Sequence, residues 1–379
     1  MKPPLPGRRY HARVVDLPRP QFARRICLML AERLLALEGE PALMRGVGLG
    51  DMVAFSVAAS GELAGLERIG GPLAGGWDET GDALRWRKPA AARSRAAMLR
   101  LRHRVVRGVR DYFDRQGFLE VETPALATAP NPEPTFRPVR ADGGYLITSP
   151  EFHLKRLLVG GFEKIYRLGP VFRGGEAGPL HNPEFTLLEW NRAHAGLEEM
   201  AADLEELLRE LAPLAAQPPA GEEHTEGGMA PGNPGLAPAL AALPFARATV
   251  ADLFASHLGM ELGGAADGAG LRAAALAAGV DGAGALPDDF EGAFHSLWDR
   301  IEPRLPPEPL LVVDWPVPLA SLARLKEGSP PVAERMELLV GGMELAKGFA
   351  ELTDPAEQRR RFEADLAARA ARGLAAPPL

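Results

Sequence analysis

The chain has 379 residues, a formal net charge of -7 and 46% hydrophobic residues, enough for one large or two ordinary domains with cores of their own. It has no apolar run long enough for a membrane-spanning helix, its first residues lack the apolar centre of a signal peptide, and its single cysteine, Cys27, excludes an internal disulfide. These features point to a cytoplasmic protein without a membrane partner, and the mildly acidic balance argues against non-specific nucleic-acid binding by the whole chain.

Residues 1–95 read as a small N-terminal β-rich region with a linker. The short apolar segments His11–Leu17, Ile26–Leu30, Ala42–Val47, Asp51–Val57 and Glu62–Ile69 are separated in places by glycine-rich turns, the rhythm of a small β-barrel. An irregular α+β appendage is the alternative. Gly70–Ala92 reads as a linker. From residue 96 onward the pattern changes. Leu101, Val105, Val109 and Tyr112 recur at helical spacing over Met98–Gln116, Gly117 supplies a stop, and a strand is expected over Phe118–Thr123. A second amphipathic helix is expected over Leu197–Leu211. About 213–244 the chain becomes a Pro/Gly/Ala-rich insertion with little periodicity, and regular structure resumes at Ala248–Leu258.

Three constellations carry chemistry. Ile165–Arg173 and Phe185–Asn191 read as an antiparallel hairpin around a long loop containing Gly174, Gly175 and Gly178. Arg173 stands at the loop's entrance, where a guanidinium can grip a phosphate, and Phe185 and Glu189 share a strand face. The same pattern describes a surface hairpin with a stray arginine equally well. Second, Gly341-Gly342 is a two-residue hairpin signal that sets Leu339 opposite Glu344 and places Glu337 on the same face. Two carboxylates so placed suit Mg²⁺ bridging to a nucleotide, or else a solvated face. Third, Glu151 falls in the first turn of a helix, where the dipole favours a carboxylate whatever its role.

The wording of these segments adds a resemblance. "GFLEVETP" at 117–124 is similar to motif 1 of the class II aminoacyl-tRNA synthetases, and 148–194, "TSPEFHLKRLLVGGFEKIYRLGPVFRGGE…HNPEFTLLEWNRAH", resembles the amino-acid loop and motif 2 of the lysyl-tRNA synthetase group. The segments 320–325 and 332–365 resemble that group's later substrate region. "LEWNRAH" and "ELAKGFAELTDPAEQRRRF" are closer to the elongation factor P lysyltransferases. Gly48–Ile69 resembles the last strands of the OB-fold that precedes the synthetase catalytic domain.

The resemblance implies an α+β fold: an antiparallel class II sheet flanked by helices over 96–379, after a small OB-like domain. It implies ATP and Mg²⁺, with lysine or β-lysine activated as an adenylate and transferred to elongation factor P. The alternatives are tRNA charging, or a truncated non-catalytic paralogue that binds lysine, nucleotide or a partner. Residue by residue it implies that Arg173 holds the α-phosphate and the substrate carboxylate, with His181 and Phe185 lining the adenine site. Glu151 would bind the α-ammonium, Glu189 and Glu351 the side-chain ammonium, and Glu337 and Glu344 the metal. A homodimer through motif 1 is also implied.

Four departures stand out. Gly175 occupies the position of motif 2's usual Glu, with Glu176 one step later. Asn191 replaces a Tyr, and Lys347 replaces an Asn, where its charge suits a substrate carboxylate or equally crowds or repels the ammonium end. Motif 3, whose arginine grips the γ-phosphate, is expected beyond "RAARGL", and its absence before Leu379 removes that clamp and a central strand from the expected sheet.

Overall fold

A computed structural model describes residues 4–16, 24–30, 33–71, 89–90, 93–133, 136–178, 181–216, 236–328 and 330–374. Contacts divide the chain into two compact units, the first reaching Val105 and the second holding most of the rest.

In the first unit, β1 (Tyr10–Asp16), β2 (Arg25–Leu30), β3 (Arg33–Glu38), β4 (Met52–Val57) and β5 (Leu63–Gly70) form one antiparallel sheet in the order β3-β2-β1-β4-β5. A parallel bridge between Gly39 and Leu63 joins its two outer edges. Alternation buries Ala12, Val14, Ile26, Leu28, Val53, Phe55 and Val57 together on the inner face. One expectation fails here. The segment expected as a strand over Ala42–Val47 instead begins with a 3₁₀ turn, Pro41–Met44, because Pro41 suits a helical start and lacks the N–H a ladder needs. The strand β3, a segment the apolar rhythm did not include, is built of helix formers, "RLLALE", and full pairing with β2 overrides that propensity. Most of the expected linker, 72–88 and 91–92, lies outside the described residues.

A two-residue ladder joins β6 (Pro89–Ala90) to β7 (Arg93–Ser94), and α1 (Arg95–Arg115) follows. Its buried Val109, Tyr112 and Phe113 pack with Phe118 and Tyr166 in one aromatic cluster. The Tyr112 hydroxyl donates to the Asp203 carbonyl at 2.9 Å. The strand expected over 118–123 shrinks to β8 (Leu119–Glu120), after which only the Val121 N–H reaches the Tyr166 carbonyl before Pro124 ends the pairing. Next come β9 (Leu126–Ala127), β10 (Val139–Ala141) and β11 (Gly144–Leu146), a small sheet of their own. After these, α2 (Glu151–Val159) leads into the hairpin of β12 (Lys164–Phe172) and β13 (Glu184–Arg192).

The helix α3 (Leu197–Ala216) runs longer than its apolar spacing predicted, through Pro213. The expected insertion contains α4 (Leu236–Ala241), and its 217–235 stretch lies outside the described residues. A second sheet is built from β14 (Ala246–Thr249), β15 (Leu310–Pro316), β16 (Leu325–Lys326), β17 (Val332–Val340) and β18 (Met343–Phe349). Between β14 and β15 lie α5 (Val250–Leu258), α6 (Gly268–Ala277) and α7 (Phe290–Ile301), and α8 (Pro355–Ala371) follows β18.

The helix α3 fixes which way the sheets face. Leu207 and Leu211 pack on the even side of β12 and β13, at Tyr166, Leu168, Leu188 and Trp190. Ala201 and Leu204 pack on Met336 and Leu338 of β17. The odd-numbered residues of β13 and β17 therefore both face away from α3. The architecture is α+β, a largely antiparallel sheet layer flanked by helices and preceded by a small β-sheet.

Candidate active site

On the face turned away from α3, β13 presents Phe185, Leu187, Glu189 and Asn191 in sequence, with Arg167 of β12 directly opposite Glu189. The Arg173 backbone N–H donates to the Pro183 carbonyl at 2.9 Å, so the arginine closes the base of the loop. Its guanidinium stacks 4.0 Å from the Phe136 ring centroid and 5.2 Å from that of Phe185, and its buried Nε has no hydrogen-bond partner. Two aromatic faces thus hold a cation with donors left over for an anion.

Local backbone geometry explains the shifted motif 2 carboxylate. Gly175 has φ +83°, a conformation that a Glu would adopt only with strain, so the carboxylate falls on Glu176. Gly174 bridges to Arg137, and a Cβ there would lie 2.9 Å from the Arg137 carbonyl oxygen. The variant Gly174→Ala is expected to push the loop entrance off this segment, at about 1–3 kcal/mol by the usual scale of overpacking. A thermal melt should show the loss. Glu176 is half-buried and His181 exposed, and neither side chain forms a hydrogen bond or ion pair among the described residues. The structure therefore brings Arg173 and Phe185 together.

A cluster of carboxylates is organised by Thr148-Ser149-Pro150-Glu151, the segment entering α2. The Ser149 hydroxyl donates to Glu189 Oε2 at 2.7 Å and that of Thr148 to Glu133 Oε2 at 3.3 Å. Lys155 donates to Glu151 at 2.7 Å and to Glu351 at 2.8 Å. Burial, with Glu151 next to it, pushes the Glu189 carboxyl up to about 8. Burial also raises Glu133 and Glu351. Burial pulls Lys155 down, but Glu151 and Glu351 outweigh it and hold the ammonium charged. Glu189 Oε1 and Asn191 Oδ1 are buried and accept no hydrogen bond. An empty acceptor on a desolvated carboxylate suits an incoming ammonium.

The hairpin of β17 and β18 turns at Gly341-Gly342, with φ of +59° and +73°, and pairs Leu339 with Glu344 and Glu337 with Lys347. A bulge between Leu338 and Leu339 on this ladder keeps Glu344 and Lys347 on one face despite their three-residue spacing. Burial raises the Glu344 carboxyl, Glu337 raises it further, and Lys347, Arg335 and Arg173 draw it back. The carboxylate pair and the motif 2 arginine thus act on one another. Glu337 is buried and already paired with Arg335, whose guanidinium stacks 4.3 Å from the Trp315 ring centroid. Among the described residues no group of three or more His, Cys, Asp or Glu side chains is placed to hold a metal. Two carboxylates beside an arginine are a donor set that would suit Mg²⁺. Lys347 stands opposite Glu337 and acts electrostatically on Glu344.

Pattern reading missed Glu133, Lys155 and Arg335. Lys155 carried a signal, the four-residue spacing from Glu151, and Arg335 another, two residues before Glu337 on the same strand. Glu133 lies in a proline-rich segment without periodicity.

A family model for class II tRNA synthetases (D, K and N) matches residues 83–372. A lysine–tRNA ligase of Gloeobacter violaceus is 37% identical over 285 residues, covering 74% of this chain and 54% of that protein. An elongation factor P–(R)-β-lysine ligase of Pectobacterium atrosepticum is 36% identical over 295 residues, 75% of this chain and 82% of that one. A lysine–tRNA ligase of an Anaeromyxobacter species is 36% identical over 293 residues, 71% and 54% respectively. The chain spans about half the length of these lysine–tRNA ligases.

Proposed function

Because the chain belongs to the class II tRNA synthetases of the D, K and N group, we propose that its second unit activates lysine or β-lysine with ATP and transfers it to a lysine side chain of elongation factor P. Dependence on ATP and Mg²⁺ is typical of this family. The observation that carries the reading is the shared face: the unpaired Arg173 Nε and the empty Glu189 Oε1 stand on one side of one hairpin. An anion site and an ammonium site so placed suit a zwitterion with a second amine.

In this reading Arg173 neutralises the α-phosphate while a substrate carboxylate oxygen attacks the α-phosphorus in line. The phosphorus–oxygen bond to the β-phosphate breaks, pyrophosphate leaves, and aminoacyl-adenylate forms. Glu337 and Glu344 would hold Mg²⁺, which would supply charge neutralisation on the phosphates. An amine of the acceptor then attacks the acyl carbon, AMP leaves, and an amide forms. Glu189 and Glu351 hold the substrate's side-chain ammonium, Glu151 its α-ammonium, and Phe185 with His181 and Glu176 the adenine end. Asn191 and Lys347 contribute at the amine and carboxylate ends.

A second reading, tRNA as acceptor, draws on the first unit. Its five strands, joined edge to edge by Gly39 and Leu63, support an OB-like barrel of the kind that binds single-stranded nucleic acid. Offering labelled lysine and β-lysine with purified elongation factor P and with tRNA distinguishes the two. Label on elongation factor P is expected; label on tRNA alone contradicts the first reading. The partner in either case meets a homodimer formed through α1 and β8, which light scattering at micromolar concentration tests.

A further inference from the structure

Two carboxylates of the site are bridged by a cation that the adenylation chemistry does not use. Lys155 Nζ lies 2.7 Å from Glu151 Oε1 and 2.8 Å from Glu351 Oε2. The helix α2 sets Lys155 against Glu151 by its four-residue spacing, whereas Glu351 comes from the segment after β18. Phe349 of β18 and Phe152 of α2 place their ring centroids 5.5 and 6.0 Å from the ammonium, and Phe362 of α8 packs on Phe152 at 5.8 Å. The Lys155 side chain is only 18% exposed. It occupies a seat walled by aromatic rings, which suits a fixed cation and not a swinging arm.

The main chain of both carboxylates is held without Lys155. The Glu151 N–H donates to the Ser149 hydroxyl at 3.0 Å. Glu351 bridges to Ala323, and next to it the Leu352 N–H donates to the Leu322 carbonyl at 2.9 Å. What Lys155 adds is the direction of the two side chains. It engages one oxygen of each, and the second oxygens, Glu151 Oε2 and Glu351 Oε1, form no hydrogen bond or ion pair among the described residues. Two desolvated carboxylates without a cation between them splay apart or take up a proton, and either change weakens them as ammonium acceptors.

We propose that Lys155 is a positioning residue for the substrate's two ammonium groups: by bridging Glu151 and Glu351 it fixes their separation and turns the second oxygen of each toward the substrate. Glu151 then meets the α-ammonium, and Glu351 with Glu189 the side-chain ammonium. This rests on the reading of the site as one that activates lysine or β-lysine. The three carboxylates so engaged face three ammonium groups, that of Lys155 and the substrate's two.

The test is lysine-dependent pyrophosphate exchange by the full chain, with KM for lysine and for ATP measured separately in wild type, Lys155→Met and Lys155→Arg, and a thermal melt of each. In Lys155→Met the KM for lysine is expected to rise about 10–100-fold, the scale seen for residues that orient a metal's carboxylate ligands, while kcat and the KM for ATP stay within about three-fold. Lys155→Arg should recover part of the loss, because a guanidinium also donates to two carboxylates. A KM for lysine that is unchanged or lower in Lys155→Met overturns the assignment, a lower one making Lys155 a competitor for the substrate's place. Equal rises in both KM values, or a Lys155→Met protein without a melting transition, overturn it in favour of a purely structural role. Wild type without lysine-dependent exchange overturns the activation reading itself, and the assignment with it, before any variant is measured.

Discussion

Replacing Glu189 with Gln is expected to abolish useful lysine binding and at the same time to stabilise the unliganded protein at alkaline pH. The binding loss follows from taking one anion from a desolvated ammonium, about 2–5 kcal/mol, or roughly 30-fold to several thousand-fold in affinity. The gain in stability follows from proton linkage. Burial lifts the Glu189 carboxyl from 4.5 to about 8 in the folded chain, against Glu151 and Glu133 and despite Ser149 and Lys155. Between those values the folded chain holds a proton that the unfolded chain has released. The contribution is therefore fully present below about pH 4.5 and is lost as pH rises through about 8. Gln carries no such proton, so the variant should melt higher than wild type at pH 8.5 and show a flatter pH profile. Melting scans at pH 5 and 8.5, with and without lysine, read both effects. Lysine should raise the wild-type midpoint at pH 8.5 and leave that of Glu189→Gln unmoved.

The second large effect belongs to Arg173. Its guanidinium lies between Phe136 and Phe185 and interacts with Glu344, so one side chain joins the aromatic slot to the carboxylate pair. Arg173→Ala is expected to lower the adenylation rate by about 10²–10³-fold, the scale seen when one transition-state charge stabiliser is removed. Arg173→Lys should recover little, because a point charge neither stacks between two rings nor offers a fork of donors to phosphate and carboxylate together. Arg173→Ala loses two aromatic contacts but no hydrogen bond at Nε, so its melting temperature should fall only modestly. A large drop in melting temperature would reassign the residue to structure.

Much of this site was legible because short-range rules governed it. The Gly341-Gly342 turn fixes the pairing of Val340 with Met343 and Leu339 with Glu344, and the two-residue period puts Phe185 and Glu189 on one face. What pattern reading could not supply came from tertiary contact. The bulge on the β17–β18 ladder, which turns Lys347 toward Glu337, has no composition signature. Glu133 joins the carboxylate cluster through Thr148 and is held at its carbonyl by Arg369 of α8, a contact 236 residues apart in sequence. The strand β3 pairs fully with β2 despite its helix-forming residues, and the Arg335 partner of Glu337 shows only in the folded chain.

The most direct test of the central claim is lysine-dependent exchange of labelled pyrophosphate into ATP by the full chain with Mg²⁺. This reaction reverses the adenylation step and needs neither elongation factor P nor tRNA. Exchange that requires lysine or β-lysine, fails with norleucine and falls at least 100-fold in Arg173→Ala is the predicted result. Well-folded protein that shows no amino-acid-dependent exchange would contradict the account.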